Sequence, residues 1–298
     1  MTALLASIPS PHKGTVSIGP LTLHMYGVML LLAILACLLL TAWRWRRLGG
    51  DTDLVLRVAV WGVAFGVLGA RLYHDATSWD QVPHTWWGPF AVWKGGLGVW
   101  GGILFGSLAG AVVVKRSGQS VRLFMDAIAP GLLLAQAIGR WGNWWNQELY
   151  GKPTNLPWKL EIDAAHQTSI SAQYRPITPG TGYYQPTFLY EFLYDLAGVG
   201  LMLFIGSRFR IRPPGLFALY VSFYTLGRFF EELLRIDPSH EFLGLRLNAW
   251  VSLVLFIAST SFFVWWQFIR PPAGDEPRRA RPVPQGPTMA IPKGRVRS

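Results

Sequence analysis

Charged side chains are scarce in this sequence, because only 14% of its 298 residues are Asp, Glu, Lys or Arg. Soluble domains carry about 25%, so the composition argues against an ordinary soluble fold. Cysteine is scarcer still, and the single Cys37 excludes an intramolecular disulfide or a cysteine cluster for a metal. Apolar residues make up 51% of the chain, and its 15 Trp and 10 Tyr are typical of bilayer interfaces. We therefore interpret the chain as a membrane protein.

The basic residues are unevenly placed. The formal net charge is +11, which in a soluble chain would suggest nucleic acid. Thirteen of the 27 Lys and Arg lie in four clusters next to apolar stretches, which favours a topological role and no nucleic-acid partner. The clusters are Arg44, Arg46 and Arg47; Lys115, Arg116 and Arg122; Arg208, Arg210 and Arg212; and Arg270, Arg278, Arg279 and Arg281.

Seven apolar stretches are long enough, or nearly so, to cross a hydrocarbon core that requires about 20 helical residues. They run over residues 21–43, 54–73, 95–114, 123–141, 186–205, 215–234 and 247–268. The sequence therefore predicts an all-α membrane protein, a bundle of about seven transmembrane helices.

The basic clusters also predict an orientation, since all of them fall on one side of such an odd-numbered bundle. The positive-inside rule then places the N-terminus outside and the C-terminus in the cytoplasm. The longer loops, 75–94 and 146–184, lie on the outer side, and we expect the second to form a small extracytoplasmic head. Residues 1–270 are predicted to form the transmembrane domain, and the Pro-, Gly- and Arg-rich residues 271–298 a disordered basic cytoplasmic tail.

A second group of ionisable residues lies within or at the ends of the spans. One charge at mid-span costs about 2.5–3.5 kcal/mol, so several together need ion pairing, water or a function. Purely structural pairing, or snorkelling to the interface, is the alternative to a functional site. The group comprises Arg71, Arg140, Arg228, Arg235, Glu148, Glu191, Asp195, Glu231 and Glu232.

Residues 139–151 concentrate polar side chains at the outer end of the fourth span. The segment contains Arg140, Asn143, Asn146 and Glu148, three tryptophans, and two glycines, Gly142 and Gly151, that permit close backbone approach. A helix that faces only lipid does not have this composition. The segment is typical of a polar pocket lined by aromatic rings and suited to a lipid headgroup.

The sixth span carries a second arginine with its own polar neighbours. On a helix, Arg228, Glu232 and Arg235 share one face by their spacing, and Tyr224 falls on that face too. Glu232 would hold Arg228 in one rotamer. Brought together from separate spans, Arg140 and Arg228 would form a planar, permanently charged clamp for phosphate. The residues alone thus predict an anionic-headgroup site in the outer leaflet.

These segments together resemble the prolipoprotein diacylglyceryl transferase family. Residues 139–151 are similar to its signature, Gly-Arg-x-Gly-Asn-aromatic-apolar-Asn-x-Glu-x-x-Gly, with Trp144 where phenylalanine is usual. The family's other segments follow in its order: Ser17-Ile18-Gly19-Pro20 with His24-Met25-Tyr26-Gly27, Gly69-Ala70-Arg71, Gln185-Pro186 with Leu189-Tyr190-Glu191, and 224–235. The resemblance covers residues 17 to about 240, most of the chain.

The resemblance implies an enzyme of the bacterial inner membrane. Such an enzyme moves the diacylglyceryl group of phosphatidylglycerol to the lipobox cysteine of a prolipoprotein, forming a thioether and releasing glycerol 1-phosphate. Its partners would be phosphatidylglycerol, the prolipoprotein signal peptide with its lipobox, and the bilayer. The chemistry requires no metal or other cofactor.

The family pattern also suggests roles for individual residues. Arg140 and Arg228 would stabilise the phosphate charge that develops during the reaction, and Tyr26 and His24 are further catalytic candidates. The implied lipid-binding residues are Arg140, Asn143, Asn146, Glu148, Gly151, Tyr224 and Arg228, and the supporting residues are Arg71, Glu191, Glu232 and Arg235. For Arg71, contact with a headgroup and anchoring of the second span are equally open.

One position departs from the family. The third span often carries Gly-Gly-x-x-x-His-Gly-Gly, and Trp100 stands at the histidine position here. We expect that a base at this position is not required in every member, with His24 or Tyr26 as candidate substitutes. The identity of the base is therefore open.

Two other functions compete with the enzyme. A transporter for an anionic solute or lipid would use Arg140 and Arg228 as a midplane site and requires a water path. A membrane scaffold with a basic tail would explain the C-terminus but not the polar cluster inside the bundle. A cavity that opens sideways to lipid favours the transferase, and a central pore favours the transporter.

Overall fold

The computed structural model describes residues 7–92, 95–168, 170–175, 180–271 and 279–281. These residues form long α-helices and short antiparallel hairpins. The helices are α1 (Met25–Arg47), α2 (Thr52–Thr77), α3 (Val99–Arg116), α4 (Val121–Asn146), α5 (Thr187–Arg208), α6 (Gly215–Leu234) and α7 (Leu247–Val264). The strands pair in chain order: β1 (Thr15–Ile18) with β2 (Leu21–His24), β3 (Leu160–Ile162) with β4 (Gly182–Tyr184), and β5 (Glu241–Phe242) with β6 (Leu245–Arg246).

The predicted all-α membrane fold is confirmed. Among the described residues, six helices are long and apolar enough to cross a bilayer, namely α1 to α5 and α7 with its continuation to Ile269. Helix α6 has a comparable length of 20 residues, but its last two turns carry Arg228, Glu231 and Glu232. Helix α6, which is not among these six, is thus one that was expected to carry the site.

The first helix starts at Met25, four residues after the predicted start of the span at residue 21. Residues Leu21–His24 form β2, and Ile18 pairs with Leu21 across a tight turn in which Gly19 has a φ of 60°. Glycine adopts this backbone conformation without strain, and Pro20 lacks the amide hydrogen that a helix interior needs. The hairpin therefore delays the start of α1 to Met25.

The third helix also starts four residues after its predicted start, at Val99 and not at residue 95. Gly95 and Gly96 have φ values of 84° and 74°, which lie in the left-handed region that a right-handed helix excludes. Helix α3 begins only at Val99. The apolar run alone did not reveal this turn.

The chain divides into two compact units. One comprises Met1–Arg44 with Ser120–Arg278, and the other Trp45–Gln119 with Arg279–Ser298. In the first unit α4 packs against α5 and α6, and α6 packs against α7. In the second unit α2 packs along α3. The predicted boundary near residue 270 stays a prediction, because residues 272–278 and 282–298 of the proposed tail lie outside the described residues.

The loop after α4 is folded. Strands β3 and β4 pair antiparallel, and Ile8 from the N-terminal segment bridges to Leu160 on the edge of this hairpin. Beneath them lies a buried apolar cluster of Tyr150, Leu160, Ile162, Ile170, Tyr184, Phe188 and Ile236. Because this cluster includes α5 and the residues after α6, it fixes the loop to the ends of the helices that carry the conspicuous charges.

Candidate active site

Arg140 of α4 and Arg228 of α6 meet at one carboxylate. Glu191 of α5 lies with Oε1 2.6 Å from Nη2 of Arg140 and with Oε2 3.6 Å from Nη1 of Arg228. All three side chains are largely buried. The predicted approach of two guanidiniums from separate spans is therefore present, and Glu191 is the group that joins them.

Much of this cluster consists of ion pairs, as expected if the charges have a purely structural role. Arg228 also contacts Glu231 at 2.5 Å and, through Nη2, Glu232. The contacts of Arg140 and Arg228 within the described chain use their Nη1 and Nη2 atoms. An arginine carries five N–H donors, so each guanidinium retains donors for an additional anion.

Glu232 joins the end of α6 to the hairpin that follows it. Its side chain has no exposed surface and contacts Arg228, Nη1 of Arg235 at 3.5 Å and Nε of Arg246 at 2.7 Å. Asp237 closes the network, with carboxylate oxygens 2.8 Å from Nε of Arg235 and from Nη2 of Arg246. The predicted support of Arg228 by Glu232 is present, whereas helical spacing did not predict that Arg246 and Asp237 belong to the same network.

The polar residues at the end of α4 form a chain of hydrogen bonds. Arg140 Nη1 donates to Asn143 Oδ1 at 3.4 Å, and Asn143 Nδ2 donates to Glu148 Oε1 at 2.9 Å. Asn146 Nδ2 reaches the same oxygen at 3.4 Å. Asn143 and Glu148 thereby limit the rotamers of Arg140, and the predicted grouping of these four residues is present.

Gln147 was not identified from the sequence, although this residue holds the signature segment, residues 139–151, in place. It ends α4 in a left-handed conformation with a φ of 50°. Its buried amide donates to Pro11 O at 2.8 Å and to Asp163 Oδ2 at 2.7 Å, and accepts from Asp163 N at 2.7 Å. The hydrogen bond from His12, followed by that from Gln147, lowers the pKa of Asp163. A glutamine in a variable signature position gives no signal of this role, because the role depends on contacts distant in sequence.

A cavity of about 190 Å³ lies between α5 and α6, beside this cluster. Its wall includes Arg228 and Glu191 with Tyr224, as the helical spacing of Tyr224 and Arg228 suggested. Phe230 also belongs to the wall and is 59% exposed, so the cavity reaches the apolar surface of the helix pair. Arg140 approaches the cavity through its contact with Glu191.

The remaining predicted residues occupy varied places. Tyr26 packs its ring against Gly142, where a Cβ would lie 2.7 Å from the ring, and so contacts α4 two residues from Arg140. Gly151 hydrogen-bonds to Gln185 O and bridges to Arg235, with side chains of Gln185 and Thr187 filling the space around it. Gly151 is therefore a packing residue next to the site. His24 is exposed at the end of β2, and the described chain shows no contact between it and either arginine.

Arg71 lies in the other compact unit and is 5% exposed. Its guanidinium donates to the carbonyls of Gly88, Pro89, Gly95 and Gly96 at 2.7–3.2 Å, and Nε lies 3.0 Å from Asp75. Of the two roles left open, these contacts favour anchoring. Trp100, at the position of the family's histidine, is half exposed on α3.

The fold and the cluster define a multi-pass membrane protein that carries an ionisable site inside its helix bundle. A family model described as prolipoprotein diacylglyceryl transferase matches residues 13–265. Two similar proteins, from Paenarthrobacter aurescens and Bifidobacterium adolescentis, are named phosphatidylglycerol–prolipoprotein diacylglyceryl transferase. The first is 47% identical over 265 residues, covering 86% of this chain and 82% of the relative. The second is 43% identical over 272 residues, covering 87% and 80%.

A third relative, the Streptomyces coelicolor protein of that name with the suffix 2, is 44% identical over 263 residues and is covered to 81% of its length. The chain belongs to the prolipoprotein diacylglyceryl transferase family.

Proposed function

We propose that this chain transfers the diacylglyceryl group of phosphatidylglycerol to the cysteine thiol of a prolipoprotein, with Arg140 and Arg228 holding the phosphate. Family membership and the names of the relatives support the activity. The observation that carries the assignment of residues is the meeting of the two guanidiniums at Glu191, beside a cavity.

The reaction forms one bond and breaks another. The sulfur of the lipobox cysteine attacks the glyceryl carbon that carries the phosphate ester, and the C–O bond breaks. Glycerol 1-phosphate leaves with the electron pair, and the thiol proton is released. Negative charge grows on the phosphate oxygens, where Arg140 and Arg228 provide fixed positive charge in a site with little water. The same charges favour the thiolate, since a free thiol has a pKa of about 8.5.

The neighbouring residues position these arginines. Glu191 spans both guanidiniums, Glu232 holds Arg228, and Asn143 links Arg140 to Glu148. An incoming phosphate competes with Glu191 for the same donors, and the 3.6 Å separation from Arg228 is longer than the 2.7–2.9 Å of a strong charged hydrogen bond. Glu191 therefore keeps the arginines together without satisfying both.

The size and opening of the cavity suit a lipid headgroup. Pockets for drug-sized ligands measure about 300–1,000 Å³, whereas this cavity measures about 190 Å³. A glycerophosphate headgroup fits such a volume, and two acyl chains do not. The exposed Phe230 at its mouth places the opening on an apolar helix surface, so the chains remain in the bilayer.

The charge distribution supports an orientation with this site on the outer side. The cluster joins the end of α4, the start of α5 and the end of α6. The opposite ends of these helices carry Arg122, Arg208, Arg210 and Arg212, and the positive-inside rule assigns that end to the cytoplasm. Glu241→Cys, on the exposed hairpin after α6, should react with a membrane-impermeant maleimide in intact cells. Labelling that requires lysis would reverse the orientation.

Transfer by purified protein tests the function. Wild type in detergent should lipidate a fluorescent lipobox peptide from phosphatidylglycerol. Arg140→Gln and Arg228→Gln should each lower kcat by about 10²–10³, the usual loss when one charged donor is removed from a developing anion. Arg57→Gln, at an exposed position of α2, is the matched control and should retain full activity.

The opposite results are equally clear. Full activity in both variants would remove the arginines from the chemistry. A well-folded wild type that transfers nothing would mean that Trp100 marks a family member without this activity.

A further inference from the structure

Asp195 is a buried carboxylate for which the reaction described above has no use. It lies on α5 one turn beyond Glu191, has no exposed surface, and lines the cavity. Neither of its carboxylate oxygens has a hydrogen-bond partner in the described part of the chain. Buried polar atoms without a partner are rare in folded proteins, because desolvation without a new hydrogen bond is unfavourable.

Among the described residues of the cavity wall, none donates a hydrogen bond to Asp195. Tyr194 donates its hydroxyl to Phe223 O at 2.7 Å. Arg228 contacts Glu191, Glu231 and Glu232. Asp195 is therefore a buried acceptor without a donor at the wall of the cavity, and a ligand that enters the cavity with hydroxyl groups would supply the missing donors.

We propose that Asp195 accepts hydrogen bonds from the hydroxyl groups of the phosphatidylglycerol headgroup and so selects this lipid over phospholipids without headgroup hydroxyls. This inference rests on the proposed function, since it assumes that the phosphate lies at Arg140 and Arg228. It assigns Asp195 a role in specificity, separate from the stabilisation of charge by the arginines.

The spacing along α5 fits this arrangement. Glu191 and Asp195 are four residues apart, so they lie on one face and about 6 Å apart along the helix axis. A phosphate at the arginines beside Glu191 would place its three-carbon glycerol chain along that axis. The glycerol hydroxyls would then reach the depth of Asp195, while the acyl chains leave at the mouth near Phe230.

A site built to bond a substrate hydroxyl rejects the analogue that lacks it, because a buried polar group is then left unpaired. A hydrogen bond to a charged group contributes about 1.5–3 kcal/mol, which corresponds to roughly 10–150-fold in kcat/KM. Phosphatidylpropanol is the matched probe, since its headgroup has the same three carbons without the hydroxyls. Wild type should prefer phosphatidylglycerol to this lipid by a factor in that range.

The test compares kcat/KM for the two lipids in wild type, Asp195→Leu and Asp195→Asn. Asp195→Leu should lose roughly 10–150-fold with phosphatidylglycerol and change little with phosphatidylpropanol, which brings the ratio near one. Asp195→Asn keeps an acceptor oxygen and should retain part of the preference. Asp126→Asn is the control, since Asp126 is also a buried carboxylate in the bundle but already accepts from Phe217 N at 2.9 Å. Its ratio should equal that of wild type.

Each ratio comes from one preparation, so partial unfolding cancels. Equal losses with both lipids, or an unchanged preference in both Asp195 variants, would overturn the inference. If the Asp195 variants lose the acidic limb of the pH–activity profile with both lipids, Asp195 acts as a proton acceptor. That result would also overturn the inference. If wild type transfers neither lipid, the proposed function has failed. In that case native mass spectrometry tests the inference separately, by measuring how much of each lipid wild type and Asp195→Asn retain. Equal retention by the two proteins would refute the inference.

Discussion

The α2–α3 pair and the α4–α5–α6 cluster are held together by opposite means. In the pair, glycines bring two backbones into contact, so that a Cβ on Gly69 would lie 2.5 Å from Gly101 O. The other glycines of this seam are Gly62, Gly66, Gly102 and Gly106. Small residues that allow close backbone approach are a usual device for packing helices in lipid. Within the described residues, the contacts that these glycines make across the seam involve no charged side chain.

In the α4–α5–α6 cluster, charged side chains cross between helices. Such charges are unfavourable within a bilayer even when they are paired, and glycine packing was available to the same protein. The charges of the second region therefore serve more than cohesion. These charges provide an electrostatic environment that can act on a ligand in the cavity beside them.

Arg71 shows the limit of this rule. It is a buried arginine in the glycine-packed unit, and its donors bind the carbonyls of the 88–96 turn and Asp75. A buried charge therefore indicates a site only when its partners are other side chains that leave room for a ligand.

The largest expected effect is that of Glu232→Gln. This substitution keeps the shape of the side chain but leaves Arg228, Arg235 and Arg246 without their shared carboxylate. Breaking a buried ion pair costs about 3–5 kcal/mol, because the remaining charge is uncompensated. Thermal unfolding in detergent should show a large loss of stability, and the remaining folded enzyme should transfer more slowly because Arg228 loses one of its three carboxylate contacts.

Glu241→Gln, an exposed carboxylate on β5, is the control for Glu232→Gln and should behave as wild type. An unchanged melting temperature for Glu232→Gln would show that the cluster contributes nothing to cohesion. The contrast between the two regions would then be one of function alone.

Gly101→Ala should have the next largest effect, and on stability only. The new Cβ would lie 2.1 Å from Gly69 O and 2.4 Å from Tyr73 Cβ, so the helices must separate. We expect a loss of about 3 kcal/mol or more, at the upper end for overpacking, with unchanged kcat per folded molecule. Gly62→Ala is the control on the same seam, since its Cβ would lie 3.7 Å from Gly106 O, an ordinary contact. If Gly101→Ala unfolded like wild type but transferred more slowly, the contrast between the two regions would be contradicted.

The sequence predicted the helices and the polar segments well, because apolar length and misplaced charge are both local signals. Arg140, Asn143 and Glu148 lie within nine residues of one another, and the hydrogen bonds among them follow from this proximity. Glu232 was expected to hold Arg228 from helical spacing, and it does.

What the sequence did not reveal depends on contacts between distant segments. The roles of Gln147 and Arg246 require the positions of Asp163 and Asp237, which helical periodicity does not specify. The sequence did not indicate that the glycines of α2 and α3 form a seam, because this function requires the register between two helices. Residues 21–24, the second strand of the first hairpin, were included in the first predicted span, since their apolar residues do not distinguish a strand from a helix.

The smallest expected effect is on the pH dependence of stability, through Asp237 at the edge of the charged cluster. Burial alone would raise the pKa of Asp237, but the hydrogen bond from Arg235 and the charges of Arg235 and Arg246 outweigh it and lower the pKa. A carboxylate with a lowered pKa stabilises the fold above its unfolded pKa of about 3.9, and this contribution disappears as pH falls through the folded value. Wild type should therefore melt a little higher than Asp237→Asn at pH 6, and the difference should vanish as the pH drops well below 4. Because the comparison is made with the variant, other titrating groups cancel. A difference that persists undiminished at the lowest pH would mean that Asp237 contributes by shape rather than by charge, which would leave Glu232 as the carboxylate that holds Arg235 and Arg246.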